Sequence, residues 1–163
     1  MFNVKPIVSE KETDCGATCL KMILDYYGIE VDLDTLIKEC NTRIAGCTGL
    51  DLKRVANAHG LELQGFGTED ADGILYADRP AIIWWKYNHW CVYCGLDKGQ
   101  AVIINPDRGL YHMPKSTFTS FYTNVALFNG EPQDIEDPSQ STEERLNNLE
   151  DELAAAKIVL GVE

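Results

Sequence analysis

The spacing of apolar residues changes once along this chain, near residue 60, and that change limits the folds open to it. Before it, apolar positions recur every three or four residues, the repeat of one helix face. Ala17, Leu20, Ile23, Leu24 and Tyr27 make a first face, Leu33, Leu36 and Ile37 a shorter second, and Leu50, Leu52, Val55, Ala56 and Ala58 a third. Each run carries end signals. Thr13 or Asp14, Asp32 and Thr48 can accept a hydrogen bond from an orphan first-turn N–H, and Gly28 and Gly60 suit the left-handed residue that closes a helix. After residue 60 the repeat shortens. Leu61 to Phe66 alternates like a strand, residues 67–77 read as acidic loop or a short turn of helix, and Pro80–Trp85, His89–Gly95 and Ala101–Asn105 are short apolar runs separated by turn residues. Leu110–Met113 is a further strand, Pro114 opens a short helix through Tyr122, and Asn124–Phe128 is a last strand. Helices followed by an antiparallel meander predict an α+β fold, with the N-terminal helices packed on the sheet.

This patterned part spans residues 1–129 and is the size of one domain. Residues 130–141 read as a Pro- and acid-rich linker. Ser141 and Glu144 then form a capping-box pair, and Leu146, Leu149, Leu153, Ala156 and Leu160 fall at heptad spacing. An amphipathic helix over 142–161 is expected, either as a frayed tail or a helix packed on the domain, or as a small oligomerisation or docking handle. The tail also resembles those of phage- and mobile-element-encoded proteins. Charge sits unevenly: of a formal net −12, residues 131–163 contribute ten acids against Arg145 and Lys157. No basic footprint exists for nucleic acid. No apolar run approaches the roughly 18 residues of a membrane span, and the N-terminus lacks a signal-peptide core, so neither membrane nor export is expected. A cytoplasmic setting follows, in which the six cysteines are reduced thiols.

Cys15 stands where loop becomes helix. The partial positive charge and free amides of a first turn favour a thiolate, and the thiolate is the nucleophile. A buried cysteine is equally a small apolar core residue, so Cys15 needs partners before it reads as chemistry. Catalysis by sulfur requires an imidazole to exchange the proton and a third group to orient that ring. His89 opens a strand after the turn at Asn88, and Asn105 ends the neighbouring strand. Adjacent strands lie about 4.8 Å apart, so these two side chains can meet, the amide oxygen accepting from an imidazole N–H. His59, at a helix end before Gly60, reads as structural, and His112 lies among apolar residues. Cys91-x2-Cys94 has the spacing of zinc ligands, with Cys40 and Cys47 in support, but residues three apart on a strand point to opposite faces. No metal or cofactor is therefore expected.

The stretch Asp14-Cys15-Gly16-Ala17-Thr18-Cys19-Leu20-Lys21-Met22-Ile23 resembles the active-site segment of the papain-like bacteriocin-processing cysteine peptidases. These usually form the N-terminal domain of ABC exporters and cut leader peptides after a double glycine. The likeness continues through Tyr26-Tyr27-Gly28, Gly46-Cys47-Thr48-Gly49-Leu50, Arg79-Pro80-Ala81-Ile82-Ile83, Asn88-His89-Trp90-Cys91-Val92 and Val102-Ile103-Ile104-Asn105-Pro106-Asp107-Arg108-Gly109, in family order, over about residues 5–129. The resemblance implies a papain-like fold with Cys15 as nucleophile and His89 as general base. Asn105 stands where that family usually has Asp; Asn serves in other papain-like triads. Two departures stand out. The family's oxyanion-donating glutamine, six residues before the cysteine, is here Ser9, leaving the Cys15 backbone N–H as a donor. No membrane segment follows residue 129, so a standalone relative is expected.

Two functions are open on this reading. One is a cysteine peptidase acting on an extended peptide. The other, motivated by Ser9, is a catalytically weak or inactive peptide binder on the same fold. Trp84, Trp85, Tyr87 and Trp90 are candidates to line a peptide groove in either case, with core packing as their alternative role.

Overall fold

A computed structural model describes residues 1–40, 46–67 and 71–133. Three helices come first: α1 (Cys15–Tyr26), α2 (Leu33–Glu39) and α3 (Gly49–Ala58). They are followed by β1 (Leu63–Gly67), α4 (Asp72–Leu75), β2 (Ala81–Trp85), β3 (His89–Asp97), β4 (Gln100–Asn105), β5 (Gly109–Pro114), α5 (Lys115–Phe121) and β6 (Tyr122–Asn129). The fold is α+β, as the change of period predicts.

The six strands make one antiparallel sheet in the order β1-β6-β2-β3-β4-β5. β2 to β5 form the expected meander; β6 departs from it. The chain returns through α5, and β6 enters between β1 and β2, where Leu127 pairs with Gly65 on one side and Ile82 on the other. Ala126, Leu127 and Phe128 are buried there. A strand this apolar on both faces is at home in a sheet interior, not on an edge.

Alternation along the strands sorts their side chains into two cores. Ile82, Trp90, Val92, Cys94, Val102, Ile104 and Leu127 pack with the α1–α3 layer. Ile83, Trp85, Cys91, Tyr93, Ile103 and Phe128 pack with Ile74 of α4 and Phe118 of α5. Both faces are covered, which is why β2, β3 and β4 read as continuous apolar runs. Cys91 and Cys94 belong to opposite cores, with the sheet backbone between them.

One local expectation shifts. Leu50, expected on the buried face of α3, is 76% exposed. Leu52, Val55 and Ala56 hold that face at i, i+3, i+4 spacing, and a residue two positions earlier points round the helix. The lead-in before α1 is pinned by Phe2 N–H to the Cys94 carbonyl (2.7 Å) and Ser9 N–H to the Pro106 carbonyl (2.8 Å). At the other end, Gln133 N–H donates to Asp78 Oδ1 (3.0 Å) and Asp78 N–H to the Gln133 carbonyl (2.8 Å), so the first residues of the expected linker are tied to the body. The rest of that linker and the expected helix over 142–161 lie outside the described residues. Among the described residues no helix is long and apolar enough to cross a membrane.

Candidate active site

Glu12–Asp14 wind into one tight 3-10 turn that runs directly into α1. Asp14 sits at φ −92, ψ 4 and makes no side-chain cap. Capping needs extended backbone at that residue, so the cap expected from Thr13 or Asp14 is replaced by the backbone turn, in which Cys15 N–H donates to the Glu12 carbonyl. The turn delivers Cys15 almost buried, at 5% exposure, to the wall of a cavity of about 260 Å³. Cys47, Trp84 and Trp90 form the rest of its apolar lining. Gly16 makes the close approach possible. A Cβ there would overlap Cys47 Sγ and come within 3.1 Å of Trp90 Cδ1. The Trp90 indole N–H donates to the Cys47 carbonyl (3.2 Å), fixing this wall. A mutual hydrogen bond between Cys40 and Cys47 holds the Cys40 thiol below the ordinary value and pushes the Cys47 thiol up.

His89 is the first residue of β3 and follows a turn in which Tyr87 (φ 71) and Asn88 (φ 55) are both left-handed. Asn tolerates that region; a bulky aromatic rarely enters it, so the turn at Tyr87 holds local strain. The ring Nε2 lies 2.7 Å from Asn105 Oδ1. That same oxygen accepts the Asp107 backbone N–H at 2.9 Å, and Asn105 Nδ2 donates to the Tyr111 hydroxyl at 3.4 Å. A backbone N–H can only donate, so the atom it meets is the amide oxygen, and Nε2 facing that oxygen must carry a proton. Nδ1 is left for sulfur. The His89 pKa is raised from 6.5 to about 9: the hydrogen bond with Cys15 raises it most, burial opposes, and the Asn105 hydrogen bond and the charges of Cys15 and Asp107 raise it further. At neutral pH the ring is therefore an imidazolium. Cys15, His89 and Asn105 are thus brought together across the junction between α1 and the sheet.

His89 borders a second cavity, of about 440 Å³, shared with Trp85, Tyr87, Asn105, Asp107 and Phe121. The four aromatic candidates divide between the two cavities. Trp84 and Trp90 meet edge to face, 4.5 Å between centroids, on the Cys15 side. Trp85 is buried and stacked on Phe121 at 5.5 Å, and Tyr87 stands 87% exposed, both on the His89 side. Ser9 is elsewhere: its hydroxyl donates to the Pro106 carbonyl (3.4 Å), and it lines a different cavity, with Asp14 and Thr18. A larger hollow of about 890 Å³ lies at the far end of α1, where Lys21 and Asp25 are paired at 2.9 Å; no cysteine or histidine is among the described residues that line it. His59 is bonded to Glu39 (2.6 Å) and His112 to Asp97 (3.0 Å), and neither borders the Cys15 cavity. Sequence reasoning missed Asp107, Tyr111 and Cys47 as members of the site. The Asn105-Pro106-Asp107 turn carried a signal for the first, since Asn side chains bond backbone two residues on; nothing local signalled the other two.

Residues 3–134 match the Peptidase C39 family. The chain belongs to that family. Among its relatives is the colicin V secretion/processing ATP-binding protein CvaB of Escherichia coli, 27% identical over 123 residues that make up 75% of this chain and 18% of CvaB. Another is the lactococcin-A transport/processing ATP-binding protein LcnC of Lactococcus lactis subsp. lactis, 32% identical over 125 residues, 72% of this chain and 17% of LcnC. The chain thus spans less than a fifth of the length of these relatives. Among solved structures, a double glycine motif protease from an AMS/PCAT transporter, in complex with the leader peptide, superposes with a TM-score of 0.73 at 29% identity, covering 78% of this chain and 91% of that one. The peptidase domain of Streptococcus ComA, a bifunctional ABC transporter of a quorum-sensing pathway, gives 0.71 at 25% identity, covering 77% and 97%. This C39 chain shares their fold over the whole helix-on-sheet body.

Proposed function

We propose that this C39 chain is a cysteine endopeptidase that cuts an extended peptide after small, Gly-Gly-like residues, with Cys15, His89 and Asn105 as its catalytic group. The carrying observation is the position of the His89 ring, hydrogen-bonded to Cys15 on one side and to Asn105 Oδ1 at 2.7 Å on the other, with its pKa raised accordingly. An imidazolium beside a thiolate is the resting state a cysteine peptidase needs. Cys15 sulfur attacks the peptide carbonyl carbon, and the carbonyl electrons move to oxygen. The tetrahedral intermediate collapses with loss of the C–N bond, and the His89 proton passes to the leaving amine. Water, losing a proton to His89, then attacks the thioester; the C–S bond breaks, the N-terminal peptide leaves as its acid, and the thiolate returns beside the protonated ring. Asn105 holds the ring by its Nε2–H throughout, so Nδ1 stays on the sulfur side. The preference for small residues is supported by the tight Cys15 cavity between Trp84, Trp90 and Cys47, and by the double glycine motif protease among the structural relatives.

One observation favours the second reading, peptide binding without cleavage. Both candidate oxyanion donors are engaged: the Ser9 hydroxyl with the Pro106 carbonyl and Cys15 N–H with the Glu12 carbonyl. Losing one such donor costs about 10²–10³ in rate, so the enzyme is expected to be slow unless the turn at Glu12 relaxes on binding. The deciding experiment is cleavage of a peptide library by the wild type and by Cys15→Ala. Cuts after small residues that vanish in the variant support the peptidase. No cuts, together with iodoacetamide labelling of Cys15 no faster than an ordinary thiol, would assign the chain to binding.

A further inference from the structure

We propose that Asp107 is a positioning residue for His89, its carboxylate supplying the counter-charge that the neutral Asn105 amide lacks. The inference rests on the reading of Cys15 and His89 as the reacting pair. Asp107 Oδ2 lies 3.6 Å from His89 Nε2, the nitrogen that Asn105 already holds. Asp107 stands where it does because its own backbone N–H is bonded to Asn105 Oδ1, closing the turn after β4. The pairing of Val92 with Ile104, continued toward the strand ends, runs His89 alongside that same turn. One turn therefore delivers two different groups to one ring nitrogen: a dipole that fixes its direction and a charge that favours its protonated form.

The charge matters at one moment in particular. Before attack, the ring is hydrogen-bonded to the sulfur. Once sulfur has bonded to the acyl carbon, the negative charge of the reacting pair has passed to the carbonyl oxygen, while the ring still holds the proton meant for the leaving amine. An amide dipole stabilises the cation less than a full charge at similar distance. Asp107 remains as the offset, and its charge is among the causes that hold His89 up. The other titratable or charged groups near the ring are Cys15 from α1, Glu12 from the turn before it, Lys86 and Tyr87 from the β2–β3 turn, Arg108 beside Asp107, and Tyr111 from β5. Among the described residues, Asp107 is the acid in ion-pair contact with the ring. Its carboxylate is 36% exposed, so screening limits the effect to the lower part of the range for a close opposite charge.

The test is an NMR titration of the His89 ring in the full chain, which has three histidines to assign. The wild-type midpoint is expected near about 9. Asp107→Asn keeps the backbone turn and the side-chain size, and should lower the midpoint by about one unit. The double variant Asn105→Asp/Asp107→Asn moves the charge onto the residue that touches Nε2 and should restore it; a purely structural role for Asp107 predicts no such rescue. Asp107→Ala serves as a second charge-removing variant. An unchanged midpoint in Asp107→Asn and Asp107→Ala, or no recovery in the double variant, overturns the assignment. Cleavage of a Gly-Gly-containing peptide is followed separately. A wild type that never cuts defeats the peptidase reading, while the titration still decides the role of Asp107.

Discussion

The starts of α1 and α3 solve the same problem in opposite ways. Each helix must satisfy its orphan first-turn amides. α3 does so with its own surface side chains: Thr48 is extended (φ −89, ψ 163), Asp51 N–H donates to its hydroxyl (3.1 Å), and Thr48 N–H donates back to the Asp51 carboxylate (3.1 Å). α1 has no such box. Its first residues, Cys15, Gly16 and Ala17, are buried, and a tight backbone turn leads in. A capped start is closed, exposed and stable by itself. A start made by winding the backbone can be pushed into the protein, and that is what carries a sulfur to the edge of the sheet. The difference separates a helix end that serves the fold from one that serves the proposed reaction, and it can be broken from either side.

The largest effect is expected at Cys15. Cys15→Ala should reduce cleavage of a Gly-Gly peptide by at least about 10⁴-fold while leaving the melting temperature near that of the wild type, because alanine keeps the small apolar body that the site buries. Next comes the sheet-side partner. Asn105→Ala removes the hydrogen bond that orients the His89 ring and helps to raise its pKa. The rate should fall by about 10²-fold, and the alkaline limb of kcat/KM should move down from about 9 toward the ordinary 6.5. The sign follows from the direction of the shift. A folded pKa raised above the unfolded value means stabilisation by the protonated ring that is complete below about 6.5 and is lost as pH rises through about 9. Thermal unfolding followed across that window should show the loss in the wild type and a smaller loss in Asn105→Ala.

Third is Gly16→Ala. The added methyl meets Cys47 Sγ and Trp90 Cδ1, both in buried side chains. Overpacking of this kind costs typically about 1–3 kcal/mol, read by denaturant unfolding, and should also slow cleavage by displacing Cys15 next door. A variant as stable and as fast as the wild type would break the claim that glycine is what lets α1 approach this wall.

Much of this was legible in the chain, and the two helix starts mark the limits. Thr48 reads as a cap from its residue type alone, and Gly28 at φ +78 ends α1 where the pattern places it. Element order follows from the change of period. Cys15, His89 and Asn105 emerged from residue type, turn position and resemblance together. What was not legible is non-local. The return of β6 into the sheet depends on which edge α5 leads to, and Leu50 turns outward because two residues of offset outweigh its hydrophobicity. Asp107 hid inside a turn that looked complete without it. Asp14 looked like a cap because its chemistry fits, but the tight turn fixed its backbone first.

The smallest effects lie at α3, and they sharpen the contrast. Thr48→Ala removes the hydroxyl that accepts from Asp51 N–H and leaves that amide to water. Loss of such a cap costs about 1 kcal/mol, visible as a lower urea midpoint with an unchanged slope. Cleavage should be unaffected, since no atom of Thr48 borders the Cys15 cavity. Gly49→Ala, one residue on, supplies the matched counterpart to Gly16→Ala. Its Cβ would meet Trp90 Cη2 at 3.4 Å, an ordinary contact, and its backbone is not left-handed. Alanine is the better helix former by about 1 kcal/mol in a helix interior and by less in a first turn, so stability should stay within about 0.5 kcal/mol of wild type, the usual range for a change that breaks no packing. The same substitution in the first turn of two helices should thus be costly in one and nearly silent in the other. If both are silent, the tight wall beside Cys15 is not what sets the position of α1.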